Sequence, residues 1–256
     1  MFPVLLELGP LTVSSYGVLA ALGFLLALIW VVYDAKKDGL NSDTIADLAF
    51  YLALGGVIGS RIFFLIISWD YYRNNILDIL KFWEGGLVFY GGLITAVFIF
   101  IIYTLVKSLP LWKAADIFAP GIALAQGVGR LGCLAAGCCY GKPSNLPWAI
   151  TFTHPNSLAS PLGEALHPTQ LYAALSLFVL FLFLVLLKRR RVFAGQIFLS
   201  YTLLHALIRF VIEFFRGDFR GAGPFGILTS TQTVALLIVI ISPIMMIYLY
   251  RHRQSG

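Results

Sequence analysis

Five charged side chains lie within otherwise apolar stretches of this sequence, and their types suit the binding of an anion. They are Arg61, Asp116, Arg130, Arg209 and Glu213. A central arginine in a membrane span costs about 2.5–3.5 kcal/mol on insertion scales, so each is expected to face an interior and find a partner. Arg130 sits in Gly127-Val128-Gly129-Arg130-Leu131-Gly132. Small residues there let another backbone or a ligand approach the guanidinium closely; helix packing alone explains the glycines but not the arginine. Arg209, Glu213 and Arg216 are spaced i, i+4, i+7, which predicts one helix face, and His205 extends that face by a turn. A guanidinium fork matches the planar, bidentate recognition of phosphate oxygens, and the phosphate present at membrane depth is that of an anionic lipid headgroup. Structural readings stand beside these: an intrahelical salt-bridge ladder for the sixth span, and an ion pair or snorkelling for Arg61.

Membrane helices must position these groups. The 256 residues are 59% apolar and 12% charged, with a mean hydropathy of +0.88. A soluble domain of this size needs more charge to cover its surface. The apolar residues come in runs of about 20, enough to cross a hydrocarbon core of roughly 30 Å as a helix that satisfies its own backbone. A membrane β-barrel would alternate over segments of about 10 residues, and these runs do not. The expected fold is therefore an all-α polytopic bundle, a single membrane domain over residues 1–256.

Seven spans are predicted, near Tyr16–Tyr33, Ile45–Ser68, Gly86–Val106, Leu111–Leu134, Gln170–Leu187, Gly195–Phe215 and Thr229–Tyr250. Lys36, Lys37, Lys107, Lys113, Lys188 to Arg191, Arg251 and Arg253 fall at ends that alternate to one side, which the positive-inside rule makes cytoplasmic. The N-terminus is then outside and the C-terminus inside. That rule also accounts for the net charge of +6, so nucleic acid is not an expected partner. Two outer segments exceed what a connector needs. Residues 69–85, with Trp69, Tyr71, Tyr72 and Trp83, read as an interfacial arm. Residues 137–168, rich in Gly, Pro, Ser and Asn, read as a small extracytoplasmic cap with a short strand at Trp148–Phe152. Met1 to Thr12 lacks the basic n-region of a cleavable signal.

Two further segments carry polar chemistry. His167-Pro168-Thr169-Gln170-Leu171-Tyr172 opens the fifth span, where Pro suits a first turn and Thr169 and Gln170 can serve orphan amides. Cys133, Cys138 and Cys139 form one cluster in sequence. They read as small packing residues or as an outer-face disulfide. Cys-x4-Cys-Cys is not a usual zinc spacing, so no metal is expected.

Taken in order along most of the chain, these segments resemble the bacterial prolipoprotein diacylglyceryl transferases. The match includes Gly9-Pro10, Tyr16-Gly17, Gly59-Ser60-Arg61-Ile62, Trp83-Glu84-Gly85-Gly86 and Phe89-Tyr90-Gly91-Gly92-Leu93. It continues through Asp116-Ile117-Phe118-Ala119-Pro120, Gly129-Arg130-Leu131-Gly132, the His167–Tyr172 segment, Arg209 and Glu213-Phe214-Phe215-Arg216. The resemblance implies transfer of the diacylglyceryl group of phosphatidylglycerol to the thiol of a lipobox cysteine in a precursor protein. A thioether forms, glycerol phosphate leaves, and no metal or nucleotide cofactor is needed. It implies catalytic roles for Arg130, Arg209, Tyr90 and His205. Substrate contacts would come from Tyr16, Arg61, Glu213, Arg216, Gly91, Gly92, Gly129 and Gln170. The implied location is the bacterial cytoplasmic (inner) membrane, with membrane lipids as surroundings.

The pattern departs from the family in four places. Tyr90 stands where many members carry a histidine assigned to thiol activation, and a tyrosine phenol is ordinarily a poor base at neutral pH. His205 stands where the family often has a tyrosine. The run Cys133-Leu134-Ala135-Ala136-Gly137-Cys138-Cys139 replaces a polar stretch containing an asparagine and an acid. Ala173 follows Tyr172 where an acid is commoner. These departures keep other classes open: a lipid- or anion-binding protein or transporter on the same scaffold, or a transferase with a different lipid or acceptor.

Overall fold

The computed structural model describes residues 2–8, 11–73, 76–80, 86–218 and 228–252. Gly9-Pro10, Trp83-Glu84-Gly85, Lys81, Arg220 and Arg253 lie outside the described residues. Seven helices are long and apolar enough to cross a membrane: α1 Ser15–Lys37, α2 Ser42–Ile67, α4 Phe89–Val106, α5 Leu111–Ala136, α6 Thr169–Lys188, α7 Gln196–Glu213 and α8 Ser230–Arg251. A one-turn helix, α3 Trp69–Tyr72, and a 3-10 turn at Ile76–Leu80 occupy the expected outer arm. The chain divides into two compact units, Met1–Val31 with Ala115–Gly256, and Val32–Ala114.

In the smaller unit, α2 and α4 pack through glycine. A Cβ on Gly91 would lie 2.6 Å from the Gly59 carbonyl oxygen, and one on Gly92 would lie 2.7 Å from that of Gly56. Small residues at such a crossing bring backbones close enough for dispersion to hold two helices that gain nothing from hydrophobic burial in lipid. Gly91 and Gly92 thus close the packing of this helix pair. Asn41 starts α2 by accepting from the amides of Asp43 and Thr44, both at 2.9 Å.

The larger unit begins with a two-stranded antiparallel hairpin, β1 Val4–Leu8 and β2 Leu11–Ser14, which leads straight into α1. The sequence reading missed it: the strands are short, and Pro3 and Pro10 argue against regular structure. Helix α5 is the most enclosed of the spans. Ala119 and Ala123 on α5 pack with Leu177, Leu180 and Leu184 of α6 and with Ile197 and Tyr201 of α7. The cap carries β3 Ile150–Thr151 paired with β4 Ala165–Leu166, over a small core of Phe152, Ala159 and Leu166. The strand expected at Trp148–Phe152 is present in shortened form.

Asp116 is fully buried in α5 and works on the fold. Its carboxylate accepts from the amides of Gly195 (2.8 Å) and Phe198 (2.9 Å) at the start of α7, with Arg191 at 3.8 Å. An anion at a helix N-terminus satisfies orphan amides and meets the positive end of the dipole. Asp116→Ala is expected to destabilise the protein by about 1–3 kcal/mol, because buried donors lose their acceptor. Thermal unfolding in detergent measures it; an unchanged midpoint would show that α7 starts without Asp116.

Candidate active site

Arg130 projects from the enclosed helix α5, one residue after a gap in the packing. A Cβ on Gly129 would meet nothing within 4 Å among the described residues. Gly127 and Gly132, by contrast, are filled from outside α5: Cβ atoms there would touch Phe178 at 2.7 Å and Tyr16 at 3.3 Å.

Helix α7 supplies the second guanidinium. Arg209 pairs with Glu213 at 3.7 Å along the helix, and both side chains are largely buried. Glu213 also accepts from the Thr229 hydroxyl at 3.1 Å. Thr229 is the N-cap of α8, in a reciprocal capping box with Gln232. The start of one helix therefore fixes the carboxylate that orients Arg209 on another. A carboxylate near a helix N-terminus is also favoured by its dipole. His205, one turn back on α7, stacks on Tyr201 with ring centroids 5.4 Å apart. Arg209 and Arg130 are both electrostatic neighbours of its imidazole. Tyr201 is held by Gln126 of α5 at 2.9 Å.

Arg216 does not continue the α7 face as its spacing predicted. The helix ends at Glu213, and Arg216 enters an irregular bridge with Gly141. Its fork is taken by Asp218, with Nε and Nη2 donating to the two carboxylate oxygens at 2.8 and 2.6 Å. Asp218 thus occupies the fork that the sequence offers to a phosphate. Asp218 was overlooked in the sequence; its one signal is a carboxylate two residues after an arginine expected to be buried. The bridge is tight. Lys142 donates its amide to the Phe215 carbonyl (2.8 Å), Gly217 to Tyr140 (3.1 Å) and His167 to Lys142 (3.0 Å).

This bridge fixes the loop that follows α5. Gly137 (φ +79°) and Cys139 (φ +63°) adopt left-handed conformations that fold the chain back over the helix end. Thr169 donates to the Cys139 carbonyl at 2.7 Å and Gln170 to the Cys138 carbonyl at 2.8 Å. The two side chains therefore secure the cysteine loop rather than cap their own helix. Arg130 reaches the Cys139 sulfur at 3.7 Å, and Arg216 hydrogen-bonds the same thiol. Hydrogen bonds from the Cys133 and Cys138 thiols, then Arg216, hold the Cys139 thiol well below the ordinary thiol range. The three cysteines are free, without a disulfide. Tyr16, about half exposed, has Cys133, Cys138, Cys139 and Arg130 as its electrostatic neighbours.

The remaining expected site residues belong to the smaller unit. Arg61 donates to the carbonyls of Asp78 (3.3 Å), Ile79 (3.2 Å) and Gly86 (3.5 Å), and lies against the rings of Phe64 and Tyr72. These contacts hold the outer arm. Tyr90 begins α4, exposed, with its ring against Phe89.

Sequence comparisons identify the family. The model of the prolipoprotein diacylglyceryl transferase family matches residues 3–248. The chain belongs to this family. Among its relatives is the phosphatidylglycerol–prolipoprotein diacylglyceryl transferase of Clostridium tetani, 38% identical over 94% of this chain and 95% of that protein. Proteins of the same name from Finegoldia magna (37%, over 91% of this chain and 89% of that protein) and Listeria welshimeri (32%, over 96% and 89%) are also similar. The prolipoprotein diacylglyceryl transferase match thus runs through α5, the cap and α7, which carry the arginines.

Two glycines test this geometry in opposite directions. A Cβ on Gly217 would lie 2.5 Å from the Gly141 carbonyl oxygen. Gly217→Ala should therefore cost about 1–3 kcal/mol by forcing the bridge apart. Gly129→Ala should leave stability unchanged or raised by up to about 1 kcal/mol, since it adds a helix former into open space. Thermal unfolding of both variants in detergent checks the contrast, and a Gly129 variant as unstable as the Gly217 variant would contradict it.

Proposed function

We propose that the protein transfers the diacylglyceryl group of phosphatidylglycerol to the lipobox cysteine of precursor proteins, forming a thioether and releasing glycerol phosphate. The observation that carries this reading is the family match over residues 3–248, which takes in the membrane helices α5 with Arg130 and α7 with Arg209. Displacement at the glycerol carbon moves negative charge onto the departing phosphate. Fixed cations in a poorly solvated site stabilise that charge without reorganising. An apolar groove of about 560 Å³ runs along Leu131, Leu134 and Ala135, just beyond Arg130, and suits an acyl chain. Tyr16 lies where its phenol can hydrogen-bond the headgroup. Glu213, Arg216 and Gln170 act by holding Arg209 and the loop beside Arg130.

The protein would reside in the bacterial cytoplasmic membrane with its N-terminus outside, because Lys36, Lys37, Lys188 and Arg251 end helices on the side predicted to be cytoplasmic. A fluorescent protein fused at the C-terminus should then be bright and an extracytoplasmic reporter enzyme there inactive; the reverse pattern contradicts the orientation. For the chemistry, purified protein is supplied with phosphatidylglycerol and a lipobox peptide. Wild type should produce the thioether, and Arg130→Gln should lower the rate by about 10²–10³ while remaining folded. Lipid binding without turnover by the wild type would instead favour a binding protein on this scaffold.

A further inference from the structure

We infer that Cys133, Cys138 and Cys139 form a three-thiolate site for a zinc-class cation, whose open fourth position takes the acceptor thiol. The inference rests on the transferase reading above and names what makes that thiol reactive.

The geometry is the first argument. The three sulfur atoms lie within 4.8 Å of one another. Zinc–sulfur bonds of about 2.3 Å place the sulfurs of one zinc ion about 3.8–4.0 Å apart, so closing on the ion takes less than about 1 Å of movement. The sequence spacing conceals this arrangement. Cys133 belongs to the last turns of α5, and the left-handed residues Gly137 and Cys139 return the next two thiols to it. The returning loop is fixed through its own carbonyls by Thr169 and Gln170. Those bonds use backbone atoms and so keep the loop in place without engaging sulfur. A cradle held by side chains that themselves bind nothing else in it is how a metal site is preorganised.

Charge is the second argument. Three thiolates on a divalent cation carry a net charge of −1, and a fourth thiolate makes it −2. Such an anion is unfavourable in a poorly solvated site unless cations face it. Arg130 lies 3.7 Å from the Cys139 sulfur and Arg216 hydrogen-bonds that thiol. The guanidinium groups next to the cluster have the sign that a metal–thiolate centre needs.

The third argument is chemical. Thioether formation requires a thiolate, yet among the described residues no carboxylate hydrogen-bonds His205 or Tyr90 to orient either as a base. Three protein ligands with a vacant fourth position is the pattern of catalytic rather than structural zinc, and a coordinated thiol is deprotonated by the metal itself. In the proposed step the acceptor thiol binds as the fourth ligand and its proton goes to solvent. The bound sulfur then donates its electron pair to the glycerol carbon of phosphatidylglycerol, and the carbon–oxygen bond to phosphate breaks. Glycerol phosphate departs with that electron pair beside the arginines. The neutral thioether, a weaker ligand, leaves the cation ready for another thiol.

The test uses the full-length protein in detergent. It is first stripped with a thiophilic chelator, then titrated with Cd(II), whose bond to thiolate gives an ultraviolet charge-transfer band. One equivalent should saturate the band, and Cys138→Ser or Cys133→Ser should remove or sharply weaken it. In the phosphatidylglycerol–peptide assay, stripping should lower transfer by about 100-fold, and one equivalent of Zn(II) should restore it. Absence of the cadmium band in stripped, thiol-reduced wild type overturns the proposal without needing any variant. Full transfer by stripped protein overturns the activating role and leaves the transferase reading intact. A protein that shows the cadmium band yet transfers nothing after reloading with Zn(II) overturns the transferase reading, and with it the assigned use of the site.

Discussion

A guanidinium group cannot be left alone in a poorly solvated interior, and the architecture of the larger unit follows from that constraint. Removing an ion from water costs several kcal/mol even after relaxation, so each buried arginine must be given partners. Arg209 has Glu213, Arg216 has Asp218, and Arg130 reaches Cys139. Each partner is then held by something further away: Glu213 by the start of α8, Cys139 by the start of α6, Arg216 by the Gly141 bridge. Two helix starts and a scrap of sheet therefore converge on a few charges. In the proposed site, their rigidity lets the cations face a ligand without first having to reorganise.

The same physics explains why the smaller unit reads differently although it too contains an intramembrane arginine. Arg61 spends its donors on carbonyls of the outer arm and its flat face on Phe64 and Tyr72. Its glycines close a helix pair instead of opening a space. Comparable sequence signals, an arginine among glycines, thus lead to opposite outcomes. Gly129 faces nothing and Gly91 faces a backbone, a difference that a sequence of glycines cannot express.

The seven spans were legible because lipid imposes one requirement over twenty residues, and composition alone reports it. Arg130, Arg209 and Glu213 were legible because charge in such a stretch has few structural explanations. The partners were harder to see. Asp218 and Thr229 act from beyond helix ends, where a shift of one residue changes every contact, and the i, i+7 spacing of Arg216 suggested a helix that stops three residues earlier. The cysteine cluster was hidden by backbone conformation: two left-handed residues reverse the chain, so that sulfurs separated by five positions come together. The N-terminal hairpin was missed for a related reason, since cross-strand hydrogen bonding leaves little trace in strands this short.

The central claim is that two guanidinium groups from separate helices share one lipid phosphate. A structure determined with a bound phosphatidylglycerol analogue tests it most directly. Charge-assisted contacts would place oxygens of that phosphate about 2.7–2.9 Å from nitrogens of both Arg130 and Arg209. A headgroup seated elsewhere, with either arginine still turned wholly to protein partners, would contradict the account.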